Sequence, residues 1–84
     1  MTKEELVIIG RQAESLLATP AFDQAIKQFR ENLADKFFQS KPEDNSERER
    51  IYNLRLCLDA VIGNLQSFIM AKQSIEAEQE LEQS

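Results

Sequence analysis

The sequence predicts an all-α protein: a long antiparallel helical hairpin with an additional N-terminal helix. Three observations predict it. Breakers are scarce, with two Gly and two Pro in 84 residues. Apolar residues recur at helical spacing over most of the chain. The sole stretch with the character of a loop, Ser40 to Ser46, divides the chain into two helical arms of similar length.

The first helix is expected over about residues 3–17. Thr2 and Glu5 have the spacing of a capping box, and Leu6, Ile9, Ala13, Leu16 and Leu17 fall on one face. Val7 and Ile8 lie off that stripe. Thr19-Pro20 marks a new start, because Thr is a good N-cap and Pro fits the first helical position. The second helix is expected over about 20–39, with Phe22, Ile26, Phe29, Leu33 and Phe37 inward and Phe38 on another face.

Ser46 and Glu49 repeat the capping-box spacing, so the third helix is expected over about 47–75. Ile51, Leu58 and Leu65 occupy one heptad position, and Leu54, Val61 and Phe68 the other, with Ile62 and Ile69 widening the stripe. The pattern meets Lys72 and resumes at Ile75. Gly63 inside this helix fits either a close helix crossing or simple tolerance. Residues 1–75 read as one helical domain, and 76–84 as an acidic tail expected to fray or stay solvated.

Folding the chain about Pro42 pairs Phe37 with Ile51, Leu33 with Leu54, Phe29 with Leu58, Ile26 with Val61 or Ile62, and Phe22 with Leu65. The first helix then either continues past Pro20 along Phe68 and Ile75, or folds back to make a three-helix bundle. A chain this short buries a modest core, so a partner surface is expected from size alone.

Net charge is −5. Residues 1–72 carry ten Lys/Arg against eleven Asp/Glu, and Glu76, Glu78, Glu80 and Glu82 supply the rest. Neither part is the footprint of a phosphate-neutralising protein. No secretory signal is visible, and no apolar stretch approaches the roughly 18–20 residues that span a bilayer. A cytoplasmic setting without membrane contact is expected.

Histidine is absent, which removes the commonest general base and metal ligand. Cys57 stands alone, so neither a Cys/His zinc site nor a Cys-His nucleophile can be built within one chain. Its place beside the heptad stripe favours packing as a small hydrophobe. Glu43, Asp44 and Glu47 cluster at the loop without EF-hand spacing, as helix-starting carboxylates do. Gly10 and Gly63 are isolated, so no phosphate loop exists. A non-enzyme with no cofactor is expected.

The apolar residues left over, Val7, Ile8, Phe38, Leu56 and Met70, together with Ile69, form the candidate protein interface. Lys36, Arg48 and Arg55 near the hairpin tip are the candidate nucleic-acid contacts of an alternative, DNA-binding packaging accessory. Interleaved Glu and Asp residues favour instead an ion-paired, solvated surface. A third reading is a small inhibitor of a host protein, with the acidic tail mimicking nucleic acid.

Glu5-Leu6, Ile9 to Glu14, Leu16-Leu17, Pro20-Ala21-Phe22, Ile51-Tyr52, Leu58 to Val61 and Leu65-Gln66-Ser67 together resemble small helical proteins encoded among the structural and packaging genes of tailed bacteriophages. The resemblance spans about residues 5–67 and implies a minor virion or assembly component, in the host cytoplasm or the virion. It carries over no catalytic residue. The end departs from it, because that group finishes in a short polar segment where this chain continues into a Glu/Gln-rich tail. The leading expectation is a structural or assembly protein that binds itself or a capsid, portal or scaffold through helix faces.

Overall fold

The computed structural model describes residues 1–83, and the chain is all-α with three helices: α1 Lys3–Ala18, α2 Pro20–Gln39 and α3 Asn45–Gln83. At the start of α1 the Glu5 N–H donates to Thr2 Oγ1 at 3.1 Å, which satisfies one of the unpaired amides of the first turn. Thr19 then leaves the helical region, with ψ of 121°, as a residue before proline must. Its hydroxyl does not cap α2 as expected. It donates backwards to Ser15 O at 2.7 Å, and Pro20 lowers the need for a cap because it has no N–H to satisfy.

α2 ends at Ser40, whose N–H reaches Lys36 O and Phe37 O, while its hydroxyl donates to Phe37 O at 2.6 Å. Pro42 prevents continuation. The next helix starts earlier than the spacing of Ser46 and Glu49 predicts. Asp44 Oδ1 accepts from the Glu47 N–H at 3.2 Å, and Asp44 O accepts from Arg48 N–H. A carboxylate at a helix N-terminus gains from the helix dipole as well as from the hydrogen bond, so Asp44 takes the capping role.

α1 does not fold back. It continues past Pro20 along the C-terminal half of α3, as three contacts place it: Glu14 against Lys72, Arg11 near Glu76, and Lys3 on Glu78. α2 covers the N-terminal half. Arg30 pairs with Asp59 at 3.2 Å, adjacent to the expected Phe29–Leu58 layer. Near the turn Arg48 lies 4.6 Å over the Phe37 ring.

The two halves of the seam differ in closeness. Gly10 and Ala13 are buried against α3, Ala13 to 2% exposure. A Cβ on Gly10 would stand 2.5 Å from Lys72 Cβ and 2.8 Å from Phe68 O. Small residues at a helix contact let the axes approach. The close crossing is therefore at Gly10. Gly63 has nothing within 4 Å of its Cβ position, so tolerance explains it. α2 stands further off α3, so of the residues expected inward on α2 Leu33 is buried and Phe22 and Ile26 half-buried, while Phe29 and Phe37 stay exposed.

α3 runs to Gln83, well past Ile75. The Glu/Gln-rich end is helical because these are good helix formers and because Glu76 and Glu78 face basic groups on α1. The hairpin is a rod of 61 × 24 × 19 Å, two helix diameters thick. Its radius of gyration is 18.0 Å, against about 12 Å for a compact chain of this length. Each stretch of α3 has one neighbour, so four apolar side chains are buried: Ala13, Leu33, Ile51 and Ile75.

Candidate functional site

Two slim layers cannot enclose what this sequence offers. The surface area is 6553 Å² for a 9.7 kDa chain, roughly 1,400 Å² above the ~5,100 Å² that folded monomers of that mass expose. Exposed large apolar side chains are spread along the rod from Met1 to Leu81, and two places stand out.

One is the hairpin tip. Because α2 stands off α3, a pocket of about 340 Å³ opens between them, lined by Leu33, Ala34, Phe37, Phe38, Ile51 and Tyr52, with Arg30 and Arg55 completing it. Phe38 is 83% exposed and meets Phe37 edge to face at 6.2 Å between centroids. Tyr52 is exposed beside them. Aromatic and Arg side chains around an apolar concavity are the composition of interface hot spots.

The other is the face of α3 turned away from α1 and α2. Leu56 and Met70 are exposed there, Met70 to 68%. One stripe of the helix meets α1 and α2; on the opposite side Leu56 and Met70 are the large apolar residues among small and polar ones.

Of the expected interface residues, Ile8, Phe38, Leu56 and Met70 are exposed, whereas Val7 and Ile69 are half-buried and offer less outward surface. Tyr52 and Val61 are exposed and were not in that set. Tyr52 is off the heptad positions, which is the signal that could have found it. Val61 sits at a heptad position, but its neighbour Ile62 is the more covered of the two, so the Ile26 layer closes on that side. Cys57 is exposed. It lies one position beyond the seam, and a two-layer rod covers nothing there.

The candidate nucleic-acid residues do not form a free basic patch. Arg48 stacks on Phe37 and donates to Ser40 Oγ at 3.1 Å. Arg55 reaches Asp59 at 3.9 Å, a carboxylate it shares with Arg30. Lys36 lies in the last turn of α2, where its charge favours the helix dipole. Among the described residues no group of three His, Cys, Asp or Glu side chains comes together to hold a metal. Asp44 is occupied as the cap of α3.

Lys72 is the least expected group. It occupies the heptad position of Ile51, Leu58 and Leu65, with its side chain 11% exposed. Its ammonium lies 2.6 Å from Glu14 Oε1 and donates to Glu76 Oε2 at 3.3 Å. The Glu14 contact is close but poorly angled, so that oxygen has an ion contact and no well-formed hydrogen bond. The Glu14 carboxylate, outweighing the burial that opposes it, holds the Lys72 pKa above its ordinary 10.5. Lys72 thus completes the seam opposite Gly10, with its stem as packing and its head as a clamp to α1.

By length and composition α3 is apolar enough to cross a membrane, so the expectation that no stretch approaches that length is too strong. The helix nonetheless carries Arg55, Asp59 and Lys72 along its length, each costly inside a bilayer. No protein family, curated protein or solved structure matches the chain.

Proposed function

We propose that this protein is a non-enzymatic assembly component that acts by self-association and by presenting rigid helix faces to a larger structure. The observation that carries the reading is the unpaired apolar surface. A 39-residue helix with one neighbour along its length leaves Leu56 and Met70 in water, and Phe38 and Tyr52 exposed at the tip. Exposed apolar groups mark interaction sites when they gather, as Phe38 and Tyr52 do beside the tip pocket. The surplus area exceeds the roughly 800 Å² per partner of a standard interface.

A virion or assembly role in a tailed phage, which the sequence resemblance implies, is a proposal of the same kind. The DNA-binding alternative draws less support, because Arg48 and Arg55 are engaged within the chain. Light scattering across a range of protein and salt concentration tests the reading. A defined oligomer is the expected result. A chain that stays monomeric at the highest concentration refutes it.

A further inference from the structure

The face of α3 opposite its seam has a pattern of its own. From Asn53 to Ala77 the two heptad positions on that side carry no charged residue, and all but Gly63 are exposed. Large and small residues are arranged so that the stripe complements itself when reversed. With a two-fold axis at the level of residue 65, Leu56 falls opposite Ser74 of a second copy, Met70 opposite Ala60, and Gly63 opposite Ser67. Every large side chain meets a small one, which is what knobs-into-holes packing at close approach requires. Gly63, with open space around its Cβ position, lies beside the axis where the backbones come nearest.

Charge selects the same direction. Glu76, Glu78, Glu80 and Glu82 crowd the C-terminal end of α3, while at its start Arg48, Arg50 and Arg55 are interleaved with Glu47 and Glu49. A parallel pair would bring the acidic ends together. The antiparallel pair sets them apart, with Arg50 flanking the stripe opposite Glu78 of the second copy, whose carboxylate also takes Lys3 of its own chain at 3.1 Å. Arg50 makes no ion pair within its own chain among the described residues. The overlap from Asn53 to Ala77 is about 36 Å long.

We infer that α3 binds a second copy of this chain antiparallel through the uncharged stripe centred on residue 65, making a two-fold dimer closed by reciprocal Arg50–Glu78 pairs. This rests on the self-association part of the proposed function and names its geometry. Such an interface is isologous, so it closes on itself and grows no filament.

The test uses the full chain with Cys57→Ser and one new cysteine at a time, treated with a short bismaleimide crosslinker. Asn64→Cys lies next to the axis and is expected to give a crosslinked dimer. Leu56→Cys lies about 27 Å from its copy in this arrangement and is expected to give none. Met70→Glu should weaken the dimer at least ~10-fold, and Arg50→Glu by a smaller factor that Glu78→Arg restores. Crosslinking at both positions means a parallel pair and overturns the inference, as does a dimer that crosslinks at neither. A dimer broken by Phe38→Glu but untouched by Met70→Glu overturns it while leaving the assembly reading intact. A monomer at all concentrations sinks both.

Discussion

Two glycines in this protein should answer the same substitution with opposite signs. Ala is favoured over Gly in a helix interior by about 1 kcal/mol, so Gly10→Ala and Gly63→Ala begin with the same gain. At Gly63 nothing lies within 4 Å of the new methyl, and the gain stands. At Gly10 the methyl would stand 2.5 Å from Lys72 Cβ and 2.8 Å from Phe68 O. Both atoms belong to the frame of α3 and cannot swing aside, so α1 must move away. Overpacking of this kind costs ~1–3 kcal/mol. The shift also loosens Ala13 and stretches the Glu14–Lys72 contact. The net expectation is a loss of about 1 kcal/mol at Gly10 and a gain of about 1 kcal/mol at Gly63. Each corresponds to roughly 4–8 °C in Tm for a domain of this size. Urea unfolding followed by circular dichroism measures both, in a Met70→Glu background so that self-association does not enter. If Gly10→Ala stabilises as much as Gly63→Ala, α1 is not seated on α3 at Phe68–Lys72, and the continued-helix arrangement is wrong.

Asp44→Ala should cost ~0.5–2 kcal/mol as a lost cap, whereas Ser46→Ala should cost almost nothing; equal effects in urea unfolding would return the cap to Ser46. Lys72 contributes stability that is complete below its ordinary pKa of 10.5 and is lost as pH rises through its raised folded value. The stability difference between the native chain and Lys72→Met should therefore be flat from neutral to mildly alkaline pH and shrink above that point; a difference that shrinks towards neutral pH contradicts the assignment. Phe38→Ser should change stability by no more than about 0.5 kcal/mol, because the ring is 83% exposed; a larger loss would mean the tip is more closed than it stands. Cys57 should react with a disulfide reagent in the folded protein nearly as fast as in urea, and strong protection would place it under a neighbour.

The hairpin was legible because its register rests on long-range repetition. Phe22 to Phe37 and Ile51 to Leu65 each recur at helical spacing, and a single loop lies between them, so one fold line satisfies every layer. Arg30 on Asp59 agrees with that register. The course of α1 was not legible, because Leu6, Ile9 and Leu17 fit equally well against α3 or in a bundle. Gly10 and Lys72 decide it, one small and one charged, and neither scores as core in an apolar pattern. Cap positions failed for a related reason. Asp44 and Ser46 are both good N-caps, and the choice depends on loop geometry around Pro42. Cys57, beside the apolar stripe, and Val61, on it, both read as interior from the sequence. A rod two helices thick does not cover them. The same shortfall of cover leaves Ile8, Phe38, Leu56 and Met70 exposed, and Val7 and Ile69 half-buried.

The measurement that bears most directly on the central claim is the mass of the intact chain by sedimentation equilibrium, from low micromolar to millimolar concentration, beside Met70→Glu. A dimer through the outward stripe of α3 gives twice the 9.7 kDa chain mass for the native sequence and a shift to monomer for the variant. A native chain that sediments as a monomer throughout, or a dimer indifferent to Met70→Glu, contradicts it.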